Sequence, residues 1–539
     1  MNLLSSIAIA QIDVLVGDPA GNAGRIRNAR MQAKTQGAAL VVFPELTLCG
    51  YPPEDLILRP GFVNACMEEA AKLALLTADG GPALIIGCPW EQEGEVYNAS
   101  LVLQGGRVVH IQPKRMLPNY GIFDEKRLFT AGAASRVFRF EDVTIGLLIC
   151  EDMWYENVAH DLGAAGAELI IAINASPFES GKLAHRREVA QTAVAASGAP
   201  LLYVNMVGAQ DDIVFDGGSF IMEPGGKLAH QFPEFAECVA MASAAPPHAP
   251  LAQEEAVWKA LSLGLGDYVA KNRFPGVLLG LSGGIDSALA ATLAADTLGK
   301  DRVLGVLLPS PYTSAESNDD ALALAKNIGI RVVTVPITEM MNAYHAMLAG
   351  AMQDAAPACG DWKHNLAVGG NLQARIRAAA LMALSNASGY MLLSTGNKSE
   401  VATGYTTLYG DSCGGYAPLK DVYKTQVYAL AKWWNRLENI IPPASITRPP
   451  TAELAPNQKD EDQLPPYAVL DAILLRLVEG RQSLPEIVAA GFDVAVVEKV
   501  AAMVRMSEYK RRQLPPGAKV SPMVFGRDWR YPLTSGWKG

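Results

Sequence analysis

Aliphatic runs of four to seven residues recur along this chain with helical stretches between them, and one proline-rich break splits the series in two. Before the break, Ile7 to Gln11, Ala39 to Phe43, Ala83 to Gly87, Val143 to Ile149 and Leu169 to Ala172 read as buried strands. Ala23 to Gln36 and Arg186 to Ser197 read as helices between them. Elements in this order pack as layers, so residues 1–243 predict a layered α/β domain. The break, Ser243-Ala244-Ala245-Pro246-Pro247-His248-Ala249-Pro250, continues neither a helix nor a ladder, and 244–254 is expected to be a linker. Glu254 to Lys271 then reads as an amphipathic helix. The runs Gly276 to Gly280, Val303 to Leu308, Arg331 to Val335 and Tyr390 to Ser394 alternate with further helices. That order predicts a doubly wound parallel sheet over residues 255–539. Two domains also suit the length, since 539 residues exceed one ordinary core.

Composition narrows the function classes. Hydrophobic residues at 50% and charged ones at 19% describe a globular protein. The net charge of −10 and the lack of long basic runs exclude a nucleic-acid-coating role. The densest basic cluster, Lys510-Arg511-Arg512, reads as a solvated face. No stretch reaches the roughly 18 uncharged apolar residues that span a bilayer, and Met1 to Ile7 has no basic leader region. Seven cysteines (Cys49, Cys66, Cys88, Cys150, Cys238, Cys359, Cys413) lack C-x-x-C spacing, and an odd number cannot all pair within the chain. A reducing, cytoplasmic setting is expected, without a cysteine-based zinc site.

In the first half, Cys150 follows an apolar strand and precedes Glu151-Asp152, Glu45 follows the run ending Phe43-Pro44, and Lys114 follows Val108 to Pro113. Three reactive groups just past strands converge on one edge of a sandwich. Their types suit hydrolysis of a carboxamide, a poor electrophile with a poor leaving group. Cys150 supplies the thiolate, Glu45 shuttles the proton to the departing nitrogen, and Lys114 steadies the tetrahedral oxyanion. Phe43-Pro44-Glu45-Leu46, Pro113-Lys114-Arg115 with Tyr120-Gly121-Ile122-Phe123-Asp124-Glu125, and Ile149-Cys150-Glu151-Asp152 resemble the signature segments of the nitrilase (carbon-nitrogen hydrolase) superfamily. The resemblance implies a four-layer αββα sandwich, the three catalytic roles above, and a bound glutamine near Tyr120, Ser176 and Lys182.

In the second half, Gly280-Leu281-Ser282-Gly283-Gly284-Ile285-Asp286-Ser287 joins a strand to an Ala/Leu-rich helix. It is not a Walker loop, because no Gly-Lys-Ser/Thr ends it. Its glycines let backbone N–H groups approach an anion at a helix N-terminus, and Ser282 and Ser287 add donors. A carboxylate beside phosphates needs a cation between them, so Asp286 points to Mg²⁺. Glu400, in Ser394-Thr395-Gly396-Asn397-Lys398-Ser399-Glu400, can complete that shell, and Lys424 is available to a phosphate from a polar loop around 419–427. The acidic stretch Ala455 to Pro466 has no apolar period and reads as a mobile lid.

The glycine turn resembles the pyrophosphatase loop of enzymes that adenylate a substrate oxygen. Thr395 to Glu400, Gly410-Asp411, Lys420 to Val427, Pro450-Thr451-Ala452-Glu453-Leu454 and Asp460 to Tyr467 are similar to the NAD synthetases over nearly all of residues 255–530. With the nitrilase-like half attached, the whole chain resembles the glutamine-dependent NAD synthetase family. This implies a second domain like the adenine nucleotide α-hydrolases. It also implies ATP at Gly280, Leu281, Ser282, Gly283, Gly284, Ile285, Asp286, Ser287, Thr395 and Lys424. Deamido-NAD would lie by Asn371, Glu400, Asp411 and Lys510, at a subunit interface of a homo-oligomer. The implied reaction turns deamido-NAD, ATP, L-glutamine and water into NAD, AMP, pyrophosphate and L-glutamate. Two alternatives stand beside it: the same loop serving another acceptor, or an amidase with an ATP-binding sensor.

Overall fold

The computed structural model describes residues 3–243, 249–456 and 458–537. The chain divides into two units, Met1–Gln253 and Glu254–Gly539. Residues 244–248 of the expected linker lie outside the described residues, and its last two fall at the start of the helix Gln253–Lys271.

The first unit holds two six-stranded sheets. One contains β1 (Ile7–Gln11), β2 (Leu40–Val42), β3 (Ala83–Gln92), β4 (Glu95–Gln104) and β5 (Arg107–Pro113), with Cys238–Met241 antiparallel on β1. The other contains β6 (Val137–Phe140), β7 (Val143–Ile149), β8 (Leu169–Asn174) and β9 (Leu201–Asn205), continued by Phe220–Glu223 and Lys227–Gln231. Strand side chains alternate between faces, and here both faces are apolar. Ile7, Ile9, Leu40, Val42 and Ile85 meet Ile145, Leu147, Ile149, Ile171 and Val204 between the sheets. The opposite faces are covered by helices. Ala8, Ala10, Val41 and Leu84 pack on α1 (Pro19–Thr35) and α2 (Pro60–Leu76) through Ile26 and Leu73. Leu148, Ile170 and Ala172 pack on α3 (Glu156–Ala164) and α4 (Lys182–Ser197) through Leu162 and Val194. The result is the αββα sandwich.

Strand direction positions the chemistry. β1, β2 and β3 are mutually parallel, and β5 runs with them because two antiparallel steps, through β4, separate it from β3. The segments after β2 and β5, with Glu45 and Lys114, therefore leave the sheet at one edge. β7 and β8 are likewise parallel, which sends Cys150 and Ser176 out together.

In the second unit the strands Arg331–Thr334, Val303–Leu307, Val277–Gly280 and Met391–Leu392 lie in that spatial order, all parallel. The helices in chain order are α5 (Gln253–Lys271), α6 (Ile285–Leu298), α7 (Ala315–Ile328), α8 (Thr338–Ala355), α9 (Asn371–Ser388), α10 (Lys398–Thr403) and α11 (Lys424–Leu437). Strand order 3-2-1-4 is the doubly wound arrangement, with its ligand crevice at the switch point beyond the carboxyl ends of the strands. The expected strand Tyr390 to Ser394 is shorter, Met391–Leu392; Leu393 still donates to the Leu278 carbonyl but also bridges Tyr416, to whose carbonyl the Ser394 N–H donates. A separate helical core, with Leu464, Leu470, Val497, Val504 and Phe525, backs α10 through Val401 and Ala402. No helix among the described residues is long and apolar enough to cross a membrane.

Candidate active sites

The strand edge of the first unit brings together Glu45, Lys114 and Cys150. Glu45 is fully buried. Its Oε1 accepts from Lys114 Nζ at 2.7 Å and Asn98 Nδ2 at 2.8 Å, and its Oε2 accepts from the Ala175 N–H at 3.0 Å. Lys114 Nζ also donates to Glu125 Oε1 at 2.8 Å, and Tyr51 gives its hydroxyl to the same oxygen at 2.8 Å. Burial works against the Lys114 charge, but the Glu125 and Glu45 carboxylates outweigh it and hold its pKa well above that of a free lysine. Burial pushes the Glu125 carboxyl up to about 7, with Lys114 pulling the other way. A buried lysine flanked by two carboxylates is a fixed positive charge, which suits it to an oxyanion and not to proton transfer.

Cys150 opens a short 3-10 turn (Cys150–Trp154) directly after β7, with a left-handed φ of 45°. That conformation is uncommon for a residue with a side chain. Asp152 holds the turn: its carboxylate accepts from the N–H groups of Ile149 at 3.1 Å, Arg115 at 3.0 Å and Met116 at 2.8 Å. One side chain thus ties the cysteine turn to the segment after Lys114. Burial, then Glu45, pushes the Cys150 thiol up. A thiol held in its protonated form needs a base to take its proton when it attacks, the role expected of Glu45.

The three residues expected at glutamine divide between two contacts. Tyr120 gives its hydroxyl to Glu151 Oε2 at 2.9 Å, and the Lys182 charge also acts on Glu151, whose carboxyl burial raises. Ser176 Oγ instead accepts from Arg186 Nε at 3.0 Å. Arg186, fully buried, is paired with Asp216 at 2.8 Å and donates to the carbonyls of Ser176 and Pro177. Asn98, Glu125, Asp152 and Arg186 have no role in the sequence reading. Only Glu125 and Asp152, inside the quoted segments, carried a signal there.

In the second unit Ser282 to Ser287 folds back on itself. Ser282 and Ser287 hydroxyls lie 3.0 Å apart, and Gly284 N–H donates to Ser282 Oγ at 3.3 Å. Gly283 has φ +78°, and a Cβ there would lie 2.3 Å from the Ser317 carbonyl oxygen. Gly283→Ala is therefore expected to distort the loop and raise the KM for ATP at least about tenfold, measured by steady-state kinetics.

Asp286, Glu400 and Lys424 meet over this loop. Lys424 Nζ binds Asp286 Oδ2 and lies 3.5 Å from Glu400 Oε1, and Asn397 Nδ2 donates to Asp286 Oδ1 at 3.0 Å. Thr395 is half-buried just before α10, whose Asn397 and Glu400 cap each other reciprocally. Two carboxylates gathered about one ammonium, with oxygen donors only, suit a hard divalent cation. Among the described residues no cluster of three or more His, Cys, Asp or Glu could hold a metal. Phosphate oxygens and water would complete the shell, as magnesium prefers. Lys424 is buried at the start of α11, so the polar loop expected around 419–427 is largely an interior segment, with Leu419, Asp421 and Val422 fully buried. Lys420 donates to the Pro515 carbonyl, and Asp421 pairs with the buried Lys398 at 2.9 Å and accepts from the N–H groups of Val520 and Ser521.

Burial, then Asp286, pushes the Glu400 carboxyl up to about 8. Unfolded, it titrates near 4.3. Between those values the folded chain holds a proton that the unfolded chain has lost, so this group's stabilising contribution falls as pH rises through the window. Glu400→Gln is expected to raise Tm by more at pH 8.5 than at pH 5.5, by a few degrees. Paired melting curves at the two pH values check this.

Three of the four residues expected at deamido-NAD converge on the loop after α10. Asn371 Oδ1 accepts from Thr407 Oγ1 at 2.7 Å, Asp411 accepts from the Thr407 N–H at 2.6 Å and Thr406 Oγ1 at 3.1 Å, and Lys510 Nζ donates to the carbonyls of Gly404 and Thr406. Glu400 is engaged instead with Lys424 and Asp286. The basic cluster is not a solvated face throughout: Arg511 is buried, donating to the Ala402 carbonyl and to Glu508, because α10 packs over it. In the acidic stretch read as a lid, Asp460 and Leu464 are buried, since the helical core takes in Leu464 and Tyr467 gives its hydroxyl to Asp460 at 2.8 Å.

Comparison with known proteins agrees with both halves. Residues 6–247 match the carbon-nitrogen hydrolase family and residues 257–515 the NAD synthase family. The glutamine-dependent NAD(+) synthetase of Rhodobacter capsulatus is 46% identical, covering 99% of this chain and 98% of that protein. The Synechocystis sp. protein of the same name is 44% identical over 98% of each. A solved glutamine-dependent NAD+ synthetase from Acinetobacter baumannii, in complex with adenosine diphosphate, is 39% identical with a TM-score of 0.77 over 98% of each chain. The chain belongs to the glutamine-dependent NAD(+) synthetase family.

Proposed function

We propose that this chain converts deamido-NAD, ATP, L-glutamine and water into NAD, AMP, pyrophosphate and L-glutamate, with ammonia made in the first unit and used in the second. The observation that carries this reading is the presence, in one chain, of a Cys150–Glu45–Lys114 edge and an Asp286–Glu400–Lys424 cluster over a glycine loop.

Cys150 attacks the glutamine carboxamide as Glu45 takes its proton, and Lys114 stabilises the oxyanion. Glu45 returns the proton to the leaving nitrogen, and water hydrolyses the glutamyl thioester. Tyr120, Ser176 and Lys182 orient the glutamine. In the second unit a nicotinate oxygen attacks the α-phosphorus of ATP, because oxide cannot leave when ammonia attacks a carboxylate. The loop from Gly280 to Ser287 and Thr395 hold the nucleotide, and Lys424 neutralises the departing pyrophosphate. Asp286 and Glu400 would hold Mg²⁺, which offsets phosphate charge when bound. Asn371, Asp411 and Lys510 place deamido-NAD, and ammonia then displaces AMP from the adenylated carboxyl.

Tyr409, 64% exposed beside Asp411, supports completion of the deamido-NAD pocket by a second copy of the chain in a homo-oligomer. The seven unpaired cysteines suit a reducing cytoplasm. The linker between the two activities ends where α5 begins, at Gln253. Product analysis after incubation with all three substrates and Mg²⁺ tests the reaction. One AMP and one pyrophosphate per NAD are expected, and ADP in place of AMP would overturn the adenylation chemistry.

A further inference from the structure

Building on this reading of the ATP site, we propose that Asp471 is a positioning residue that holds Lys424 at its working distance from Glu400. The two reacting groups come from different elements: Glu400 lies on α10, and Lys424 opens α11. A single buried carboxylate joins their N-terminal ends. Asp471, 2% exposed, accepts the Ser399 hydroxyl on Oδ1 and the Thr425 N–H on Oδ2 at 2.9 Å. Ser399 Oγ in turn accepts the Lys424 N–H at 2.9 Å. The first amides of a helix have no intrahelical partner. Here the first two of α11 end on Ser399 and Asp471, and the carboxylate faces the positive end of the helix.

Asp471 lies on the helix Tyr467–Leu474, one turn after Tyr467 and on the same face. The Tyr467 ring centroid is 5.2 Å from Lys424 Nζ. One helix therefore restrains Lys424 at both ends, its backbone through the Asp471 bonds to Ser399 and the Thr425 N–H and its ammonium through the aromatic ring. A lysine charge rides on a flexible four-carbon stem, so an anchored backbone narrows where that charge can sit. Placement matters most when the ammonium must leave Asp286 for the phosphates of ATP.

The test is steady-state kinetics with ammonium as nitrogen donor, for wild type, Asp471→Asn, Ser399→Ala and the double variant. Asparagine keeps the shape but must turn its amide nitrogen toward Thr425 N–H or Ser399 Oγ. The kcat/KM for ATP is expected to fall about 10- to 100-fold with a raised KM, while glutaminase activity is unchanged. A merely structural defect would lower the active fraction, and so kcat, without moving KM. Because both residues act through one relay, the double variant should lose no more than the worse single one. An unaltered KM for ATP in Asp471→Asn, or losses that multiply in the double variant, would overturn the proposal. If Asp471→Asn does not fold, Ser399→Ala decides alone: a raised KM for ATP supports the relay and an unchanged one overturns it. A wild type that makes no NAD from ammonium and MgATP would instead overturn the functional reading, and the role of Asp471 with it.

Discussion

Cys150→Ala is expected to abolish glutamine-dependent NAD synthesis, by at least about 10³-fold, and to leave ammonium-dependent synthesis near the wild-type rate. The first part follows from chemistry. A carboxamide needs a covalent nucleophile, and without the thiol only oxyanion stabilisation and substrate binding remain. The second follows from the division of the chain, since the groups proposed to act on ATP lie between Gly280 and Lys510 and none belongs to Met1–Gln253. The change is small in volume, and the left-handed turn at Cys150 is held by Asp152 and not by the thiol. Rates with each donor, measured on the same preparation, check it. Loss of both activities together would mean that the second site depends on the first for more than ammonia.

Lys424→Met should have the mirror-image effect: synthesis falls with either donor, by about 10²- to 10³-fold, while glutamine hydrolysis persists. Lys424 is the charge that binds Asp286 and approaches Glu400, and burial alone would suppress it. Asp286 and Glu400 together outweigh burial and hold its pKa above that of a free lysine. Removing the ammonium leaves two carboxylates facing each other, so Glu400 should take up a proton more readily still. That proton would compete with any cation at the site, and raising the pH should therefore recover part of the lost affinity for Mg²⁺. Glutaminase assays and Mg²⁺ titrations at two pH values separate this from global unfolding. Equal loss of glutamine hydrolysis would show that the variant is simply misfolded.

Much of this architecture was readable because the groups sit where elements end. Glu45, Lys114 and Cys150 each follow an aliphatic strand, and a strand's C-terminal edge is visible in the residue pattern. The glycine loop was equally legible: Gly283 must occupy a left-handed backbone, with the Ser317 carbonyl leaving no room for a side chain. Residues that act across the fold left no such trace. Arg186 looked like an ordinary helical arginine, yet it is buried and holds Ser176 and Asp216. Asp471, in an apolar helix, bonds to Ser399 and Thr425, far from it in sequence. The segment 419–427 reads as a polar loop because its polarity is seen without its partners. Its charges are met internally by Lys398 and by the backbone of Pro515, Val520 and Ser521. Local pattern reveals element ends, whereas long-range pairing decides which polar residues are buried.

The central claim is that nitrogen released by Cys150 becomes the amide nitrogen of NAD. Amide-¹⁵N glutamine, deamido-NAD and MgATP, incubated together and analysed by mass spectrometry, test it directly. The expected result is ¹⁵N-labelled NAD formed with an equal amount of AMP and of glutamate. Glutamate accumulating without labelled NAD or AMP would contradict it, leaving an amidase whose nucleotide-binding half does something else.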